Sequence, residues 1–245
     1  MTKIRLDKLL VKRKLCLSRE KAITLIKDSK VKVNGEIITK GSREFDENSV
    51  IEHIEEEKQY VGRGAKKLLK AVSIWDIHIK NKICADFGAS TGGFTEVLLE
   101  NGAKKVYSID VGHGQLAEKL KKDKRVINME KVNLKNVNSL SFNEKFEIIV
   151  CDLSFISILK VLDTINNYLV NGGQIIALVK PQFELTKKDL GKDGVVKDAE
   201  KQKNALDKVI ENFEKKGFKK IKTAVSPIKG ASGNKEFLLY GIKGV

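Results

Sequence analysis

Proline is almost missing from this chain, with two in 245 residues, and that excludes a proline-rich linker or low-complexity architecture. Cysteine is equally sparse. Cys16, Cys84 and Cys151 are far apart, odd in number and form no C-x-x-C pair. A disulfide framework and a cysteine zinc site are both excluded by that pattern. Cys84 and Cys151 fall inside apolar runs, where reduced thiols pack as small apolar groups. His53, His78 and His113 stand alone, so no metal site is expected. No segment approaches the roughly 20 apolar residues that cross a bilayer. Met1-Thr2-Lys3-Ile4-Arg5 leads into an amphipathic stretch rather than a secretory apolar core, so a cytoplasmic protein is expected.

What is present is positive charge. Lys and Arg number 47 against 32 Asp and Glu, a formal net charge of +15. Such a surplus suits a polyanionic partner, nucleic acid before an anionic membrane surface. Its distribution is informative: residues 1–43 hold thirteen bases and four acids, whereas residues 44–57 hold seven acids and no base. With 41% hydrophobic residues the chain can build a real core, and its length suits one sizeable α/β domain with a small appendage.

The appendage comes first. Leu6, Leu9, Leu10 and Leu15 place apolar residues on one side of a first helix. Ser18 is a helix cap for a second helix from Arg19 to about Ser29, with Ala22, Ile23, Leu25 and Ile26 as its stripe. Val31 and Val33 alternate into Asn34-Gly35, a hairpin signal, and Val50, Ile51 and Ile54 supply a closing strand. Glu55-Glu56-Glu57-Lys58-Gln59 is a charged connector. The expected organisation is therefore a small α+β domain over 1–57, a linker over 58–63 and a large domain over 64–245.

In the large domain strands and helices alternate. Strands are expected at 83–87, 106–109, 125–129, 146–151, 175–179, 221–225 and 237–242. Helices are expected around Leu68 to Trp75 and at 94–99, 116–120, 156–169 and 199–216. This interleaving gives a doubly wound, mostly parallel sheet of Rossmann-like α/β class.

Two constellations carry chemistry. The first is Gly88-x-x-x-Gly92-Gly93, which follows a strand and precedes a helix. Glycines there let backbone approach a ligand, and the helix N-terminus presents free N–H groups. Asp110 ends the next strand, where an acid can accept hydrogen bonds from ribose hydroxyls. The spacing is not the dinucleotide G-x-G-x-x-G. The second is a set of charges after buried strands. Asp152 and Lys180 each follow an apolar run and so lie at the carboxyl edge that faces the ligand crevice. The Asn/Asp-Pro-Pro-Tyr pattern of amino-methylating enzymes is absent at Asp152-Leu153-Ser154-Phe155. A ribose hydroxyl is a weak acid, and methylating it needs alignment and removal of its proton. Two lysines braced by two carboxylates suit that task. Lys180 is the base or hydroxyl-polarising group, with Lys67, Asp152 and Glu236 positioning it.

Two resemblances complete the reading. Arg5-Leu6-Asp7-Lys8-Leu9-Leu10, Ser18-Arg19-Glu20-Lys21-Ala22 and Val31-Lys32-Val33-Asn34-Gly35 together resemble the αL RNA-binding motif. That resemblance implies that Arg5, Lys8, Lys12, Arg13, Arg19, Lys21 and Lys27 meet RNA phosphates. The Arg63-Gly64-Ala65-x-Lys67, Asp86-to-Thr95, Asp152-to-Ser157, Lys180-to-Glu184, Gly194-to-Asp198 and Ser226-to-Phe237 segments resemble the TlyA family, often labelled haemolysin. This is a branch of the FtsJ-like ribose methyltransferases, so the resemblance implies a class I methyltransferase fold. It further implies transfer of a methyl group from S-adenosyl-L-methionine to the 2′-hydroxyl of a cytidine in ribosomal RNA within a ribosomal subunit. Lys67, Asp152, Lys180 and Glu236 become its catalytic set. Asp86, Gly88, Ala89, Ser90, Thr91, Gly92, Gly93, Asp110, Asn133 and Asp152 become its cofactor-binding residues. The chain ends nine residues after Glu236, which resembles the shorter subtype and implies large-subunit RNA. No metal, membrane or obligate protein partner is expected. The rival readings are a membrane-active haemolysin and an inactive RNA-binding assembly factor.

Overall fold

The structure is a computed structural model that describes residues 3–53, 58–135, 142–191, 193–230 and 232–244. Ile54 and the Glu55–Glu57 run of the connector lie outside them. Backbone contacts divide the chain into two units, Met1–Gln59 and Tyr60–Val245.

In the small unit, α1 (Leu6–Lys12) and α2 (Arg19–Lys27) sit with a three-stranded sheet. That sheet pairs β2 (Val31–Val33) with β3 (Glu36–Ile37) and β5 (Ile51–His53), all antiparallel. A second pair, β1 (Lys3–Arg5) with β4 (Glu44–Asp46), was not anticipated. Asn34 and Gly35 both take positive φ, as a two-residue hairpin with that dipeptide requires. Ser18 caps α2 by accepting from the Lys21 N–H at 3.3 Å. Leu6, Leu10, Ala22, Ile26, Val31, Val33 and Ile38 form the core. Leu15 does not join it. The helix stops at Lys12, Lys14 turns through φ +58°, and Leu15 is left 52% exposed. Asp7 instead anchors the unit from inside. Its carboxylate is 1% exposed, accepts from both Arg5 and Arg19 at 2.9 Å, and also receives the Lys8 N–H.

The large unit carries a seven-stranded sheet. Its strands are β6 (Ile83–Phe87), β7 (Lys105–Ile109), β8 (Val126–Met129), β9 (Phe146–Cys151), β10 (Leu169–Val179), β11 (Phe218–Val225) and β12 (Phe237–Lys243), in the order β11-β12-β10-β9-β6-β7-β8. From β10 to β8 every pairing is parallel, and β12 runs antiparallel to both its neighbours. The central strands β6, β7, β9 and the second half of β10 are buried on both faces, which explains their unbroken apolar runs, whereas the edge strands β8 and β11 are partly exposed. Cys84, Val106, Ile148, Val150, Ile176 and Leu238 face α3 (Ala65–Trp75) and α4 (Gly93–Glu100). The alternate residues Ala85, Phe87, Ile149, Cys151, Ala177 and Val179 face α6 (Leu162–Tyr168) and α8 (Ala199–Lys215). The helix expected over 156–169 is divided: a one-turn segment over Ile158–Val161 precedes α6, and β10 begins at Leu169. The helix expected at 116–120 is the short α5 (Glu118–Lys121), since Leu116 is taken up in packing ahead of it.

The Asp7 anchor has a pH signature. Hydrogen bonds from Arg5, then Arg19, outweigh burial and hold its pKa down at about 2. A carboxyl depressed on folding contributes stability above its unfolded pKa of about 3.9 and loses it as pH falls towards 2. Because both arginines are partly exposed, that contribution is about 1–2 kcal/mol. Asp7→Asn is expected to lower amide-exchange protection across residues 6–26 by about 5–30-fold at pH 7. The difference from wild type should shrink as pH approaches 2. Equal protection at pH 7 would show that the anchor adds nothing.

Candidate active site

Four parallel strands and one antiparallel strand deliver the site. β6 hands on to Gly88, β7 to Asp110, β9 to Asp152 and β10 to Lys180, all at the carboxyl edge of the sheet. Glu236 arrives at the same edge because it precedes β12, whose first residue pairs with the last of β10. Lys67 comes from the first turn of α3.

These four charges form one cluster. Lys67 Nζ lies 3.0 Å from Asp152 Oδ2 and 2.7 Å from Glu236 Oε2. Lys180 Nζ lies 2.7 Å from Asp152 Oδ1 and donates to Ser154 Oγ at 3.0 Å. Asp152 therefore spans both lysines, one oxygen to each. Burial alone would depress the Lys67 pKa, but Asp152 and then Glu236 outweigh it and raise it. Burial alone would raise Asp152, but Lys180 and Lys67 outweigh that and lower it. Lys67 is thus held as an ammonium between two carboxylates, a positioning charge rather than a proton acceptor. Gly230 makes room for the arrangement: a Cβ there would meet Glu236 Oε1 at 2.5 Å.

Two cavities meet at Asp152. One, about 440 Å³, is lined by Lys67, Asp86, Gly88, Ala89, Ser90, Thr91, Gly93, Asp152, Lys180 and Glu236 among others. The other, about 490 Å³, is lined by Gly88, Ser90, Asp110, Asn133 and Asp152, with apolar walls from Val111, Val132, Leu153 and Ile156. Every residue expected at a cofactor is thereby brought to one cavity or both, save Gly92. That glycine sits behind the loop at φ +96°, where a Cβ would strike Leu120 Cδ1 at 2.2 Å. Gly88, at φ +88°, is equally constrained, since a Cβ would meet the Asp152 carbonyl at 2.8 Å. The Asp110 carboxylate is fixed by N–H donors from Ser90 at 2.8 Å and Gly112 at 2.7 Å.

Asp86 is the unusual acid of the first cavity. One oxygen accepts from the Thr95 N–H at 2.9 Å and hydroxyl at 2.7 Å, while Oδ1 is buried with no partner among the described residues. Complete burial pushes its pKa up to about 7 despite Thr95. Its side chain borders the first cavity, so Asp86 could accept from a donor group bound there.

Some site residues sat inside the sequence motifs without a role. Ser154 takes the Lys180 hydrogen bond. Glu184, buried on α7 (Pro181–Glu184), accepts from Ser157 Oγ and from the Ile158 N–H at 2.9 Å. Phe155 is 91% exposed at φ +65°, with its ring 5.6 Å from that of Phe183. Lys180, Phe183 and Glu184 thus lace the β10 exit to the β9 exit loop. Glu96 had no sequence signal: a first-turn acid reads as solvent-facing, yet it is buried and accepts from the Val61 N–H at 2.8 Å. The basic residues of the small unit are on one module, but not all stand open. Arg5 and Arg19 hold Asp7, Lys12 pairs with Glu47 at 2.7 Å, and Arg13 donates to the Ser49 carbonyl at 2.7 Å. Lys8, Lys21 and Lys27 are exposed and have no ion pair among the described residues.

A mostly parallel seven-stranded sheet whose carboxyl-edge crevice holds a glycine turn, the Asp110 carboxylate and a buried charge cluster is a class I methyltransferase fold. A Listeria monocytogenes protein named as an S-adenosylmethionine-dependent methyltransferase shares that fold at TM-score 0.56 and 17% identity, over 75% of this chain and 100% of that one. The FtsJ-like methyltransferase family model matches residues 60–243, and the S4 domain model matches residues 4–51. Hemolysin A of Brachyspira hyodysenteriae is 43% identical over 92% of this chain and 94% of its own length. The 16S/23S rRNA (cytidine-2′-O)-methyltransferase TlyA of Mycobacterium tuberculosis is 37% identical over 96% of this chain and 88% of its own. A hemolysin-named protein of Streptococcus thermophilus is 37% identical with TM-score 0.73, covering 100% of this chain and 90% of that one. The chain belongs to the FtsJ-like methyltransferases, in the TlyA branch that carries an N-terminal S4 domain.

Removing one partner of a buried ion pair strands the other. Lys67→Met takes away the ammonium that Glu236 faces, whereas Asp152 keeps Lys180. The substitution is expected to lower urea-unfolding stability of the large unit by about 3–5 kcal/mol. Lys67→Met with Glu236→Gln should cost less than the two single changes summed, by about 1–3 kcal/mol. Strict additivity would mean that the two charges do not interact.

Proposed function

We propose that this protein transfers the methyl group of S-adenosyl-L-methionine to the ribose 2′-hydroxyl of a cytidine in ribosomal RNA, and that the S4 unit supplies RNA affinity. The observation that carries this reading is the Asp152-bridged set of Lys67, Lys180 and Glu236 at the junction of two cavities. The two cavities suit the parts of such a cofactor. Asp110 offers two fixed oxygens where ribose hydroxyls would donate, beside an apolar wall for a purine and beside Asn133. The partnerless oxygen of Asp86 suits an amino acid's ammonium group, which would favour its charged form. When bound, the cofactor supplies a methyl group already activated on a sulfonium. What the protein must add is alignment and a path for the hydroxyl proton. Lys180 Nζ is oriented by Asp152 and Ser154; once it has given up its own proton to solvent, its lone pair can take the hydroxyl proton as the O–C bond forms and the S–C bond breaks, and Asp152 then faces the ammonium that results. Lys67 and Glu236 keep Asp152 in place and charged.

The name hemolysin carried by some relatives has no counterpart in this reading: no helix among the described residues is long and apolar enough to cross a membrane. A ribosomal RNA substrate would place the protein with ribosomes in the cytoplasm.

The test is labelled methyl transfer to isolated small and large ribosomal subunits, since the Mycobacterium tuberculosis relative is named for both RNAs. A 2′-O-methyl group blocks alkaline cleavage of the next phosphodiester, so the label should emerge in an alkali-resistant dinucleotide beginning with cytidine. Lys180→Ala should bind S-adenosylhomocysteine and RNA nearly as wild type does, yet lose transfer by about 10²-fold or more. Lys180→Arg should fail as well, because a guanidinium cannot take the proton. Label in an alkali-labile mononucleotide would mean a base is the acceptor, and full activity of the arginine variant would exclude Lys180 as proton acceptor.

A further inference from the structure

Glu236 borders a second recess besides the catalytic cavity. This is a groove of about 630 Å³ lined by Val195, Val196, Lys197, Val225–Lys229, Gly233, Lys235 and Glu236. It lies at the same sheet edge as Lys180, because Val225 ends β11 and Glu236 precedes β12. The groove therefore continues the reaction cavity on the side away from Asp110.

Its walls are fixed by buried amides. Asn234, 2% exposed, accepts the Val196 N–H at 3.0 Å and donates to the Gly194 carbonyl at 3.2 Å. Gln202, also buried, donates to the Val196 carbonyl at 2.6 Å. Ser226 Oγ donates to the Ile228 carbonyl at 2.7 Å and holds the opposite wall. Both sides are thus shaped before any ligand arrives. The lining combines apolar surface from Val195, Val225, Pro227 and Ile228 with three exposed lysines at the rim. Lys197 shares its charge with Asp193 at 3.1 Å, while Lys229 and Lys235 have no ion pair among the described residues.

Apolar floor and cationic rim suit a nucleotide: sugar and base against the floor, phosphate against the ammonium groups. A methyl acceptor inside a polynucleotide also needs such a place. Once its ribose stands at Lys180, the adjoining phosphodiester has to leave the cavity, and the side towards Asp110 belongs to the cofactor. We infer that the groove between residues 195–197 and the 225–229 and 233–235 stretches seats the nucleotide adjoining the methylated one, with Lys229 and Lys235 on its phosphate. This assignment rests on the reading of the site as an RNA methyltransferase.

The experiment compares two charge-matched double variants of the full chain. Lys229→Gln with Lys235→Gln alters the groove rim. Lys219→Gln with Lys220→Gln removes two exposed lysines at the start of β11, the opposite edge of the same sheet. Binding of a labelled rRNA fragment is followed against salt, together with steady-state methylation of the same fragment. The groove variant should flatten the log–log salt dependence by about 0.7–0.9 per lost phosphate contact. It should raise KM for RNA about tenfold and leave kcat and S-adenosylhomocysteine affinity unchanged, while the β11 variant stays at wild-type values. Wild-type slope and KM in the groove variant, or equal shifts in both variants, would overturn the assignment. If wild type methylated no ribosomal RNA, the reading of the reaction would fall by itself, and the salt slopes would still decide whether the groove holds RNA.

Discussion

The Asp152 carboxylate, with one oxygen on Lys67 and the other on Lys180, is the constraint on which the site depends. It ties the first turn of α3 to the exit of β10 through the exit of β9, three segments that share no sequence neighbourhood. Glu236 brings in a fourth by closing on Lys67. Bringing four charges out of water is costly, and the cost is recovered only if each finds its partner in good geometry. This explains why the surrounding backbone is so restricted. Gly88 must be glycine for the Asp152 carbonyl to approach, and a Cβ at Gly230 would press on the Glu236 carboxylate.

The same economy governs the rest of the sheet edge. Buried acceptors that are not part of the cluster hold the loops that are. Glu184 fixes the 157–158 turn, Glu96 fixes the chain at Val61, and Asn234 joins the 194–196 segment to the stretch that carries Glu236. In the small unit Asp7 does comparable work with two arginines. Arg5 and Arg19 are therefore structural ligands of a buried carboxylate as well as candidates for phosphate contact. A guanidinium has five donors and can serve both roles.

Much of this was legible in the sequence because sheet edges announce themselves. Asp152 and Lys180 each follow a run of residues buried on both faces, so parallel topology fixes where they emerge. Glu236 was harder: its place depends on β12 running antiparallel to β10, which no periodicity reveals. What was misread was local. β1 and β4 are three residues long, too short for an alternation signal. Leu15 looked like a fourth stripe residue because nothing in Lys12-Arg13-Lys14 marks a helix end; the left-handed turn at Lys14 ends it. The division of residues 156–169 follows from Ser157 capping a tight turn that Glu184 holds, a contact 27 residues away in sequence.

If Asp152 orients both lysines, removing only its charge should disable the chemistry. Asp152→Asn keeps the side-chain size but leaves Lys67 and Lys180 without their shared anion. The most direct measurement is single-turnover methyl transfer to the ribosomal RNA, with S-adenosylhomocysteine and RNA affinities determined on the same preparation. A fall of about 10²-fold or more in the transfer rate, with RNA affinity held near wild type, is expected. Transfer at a wild-type rate by folded Asp152→Asn would contradict the central role given to that carboxylate.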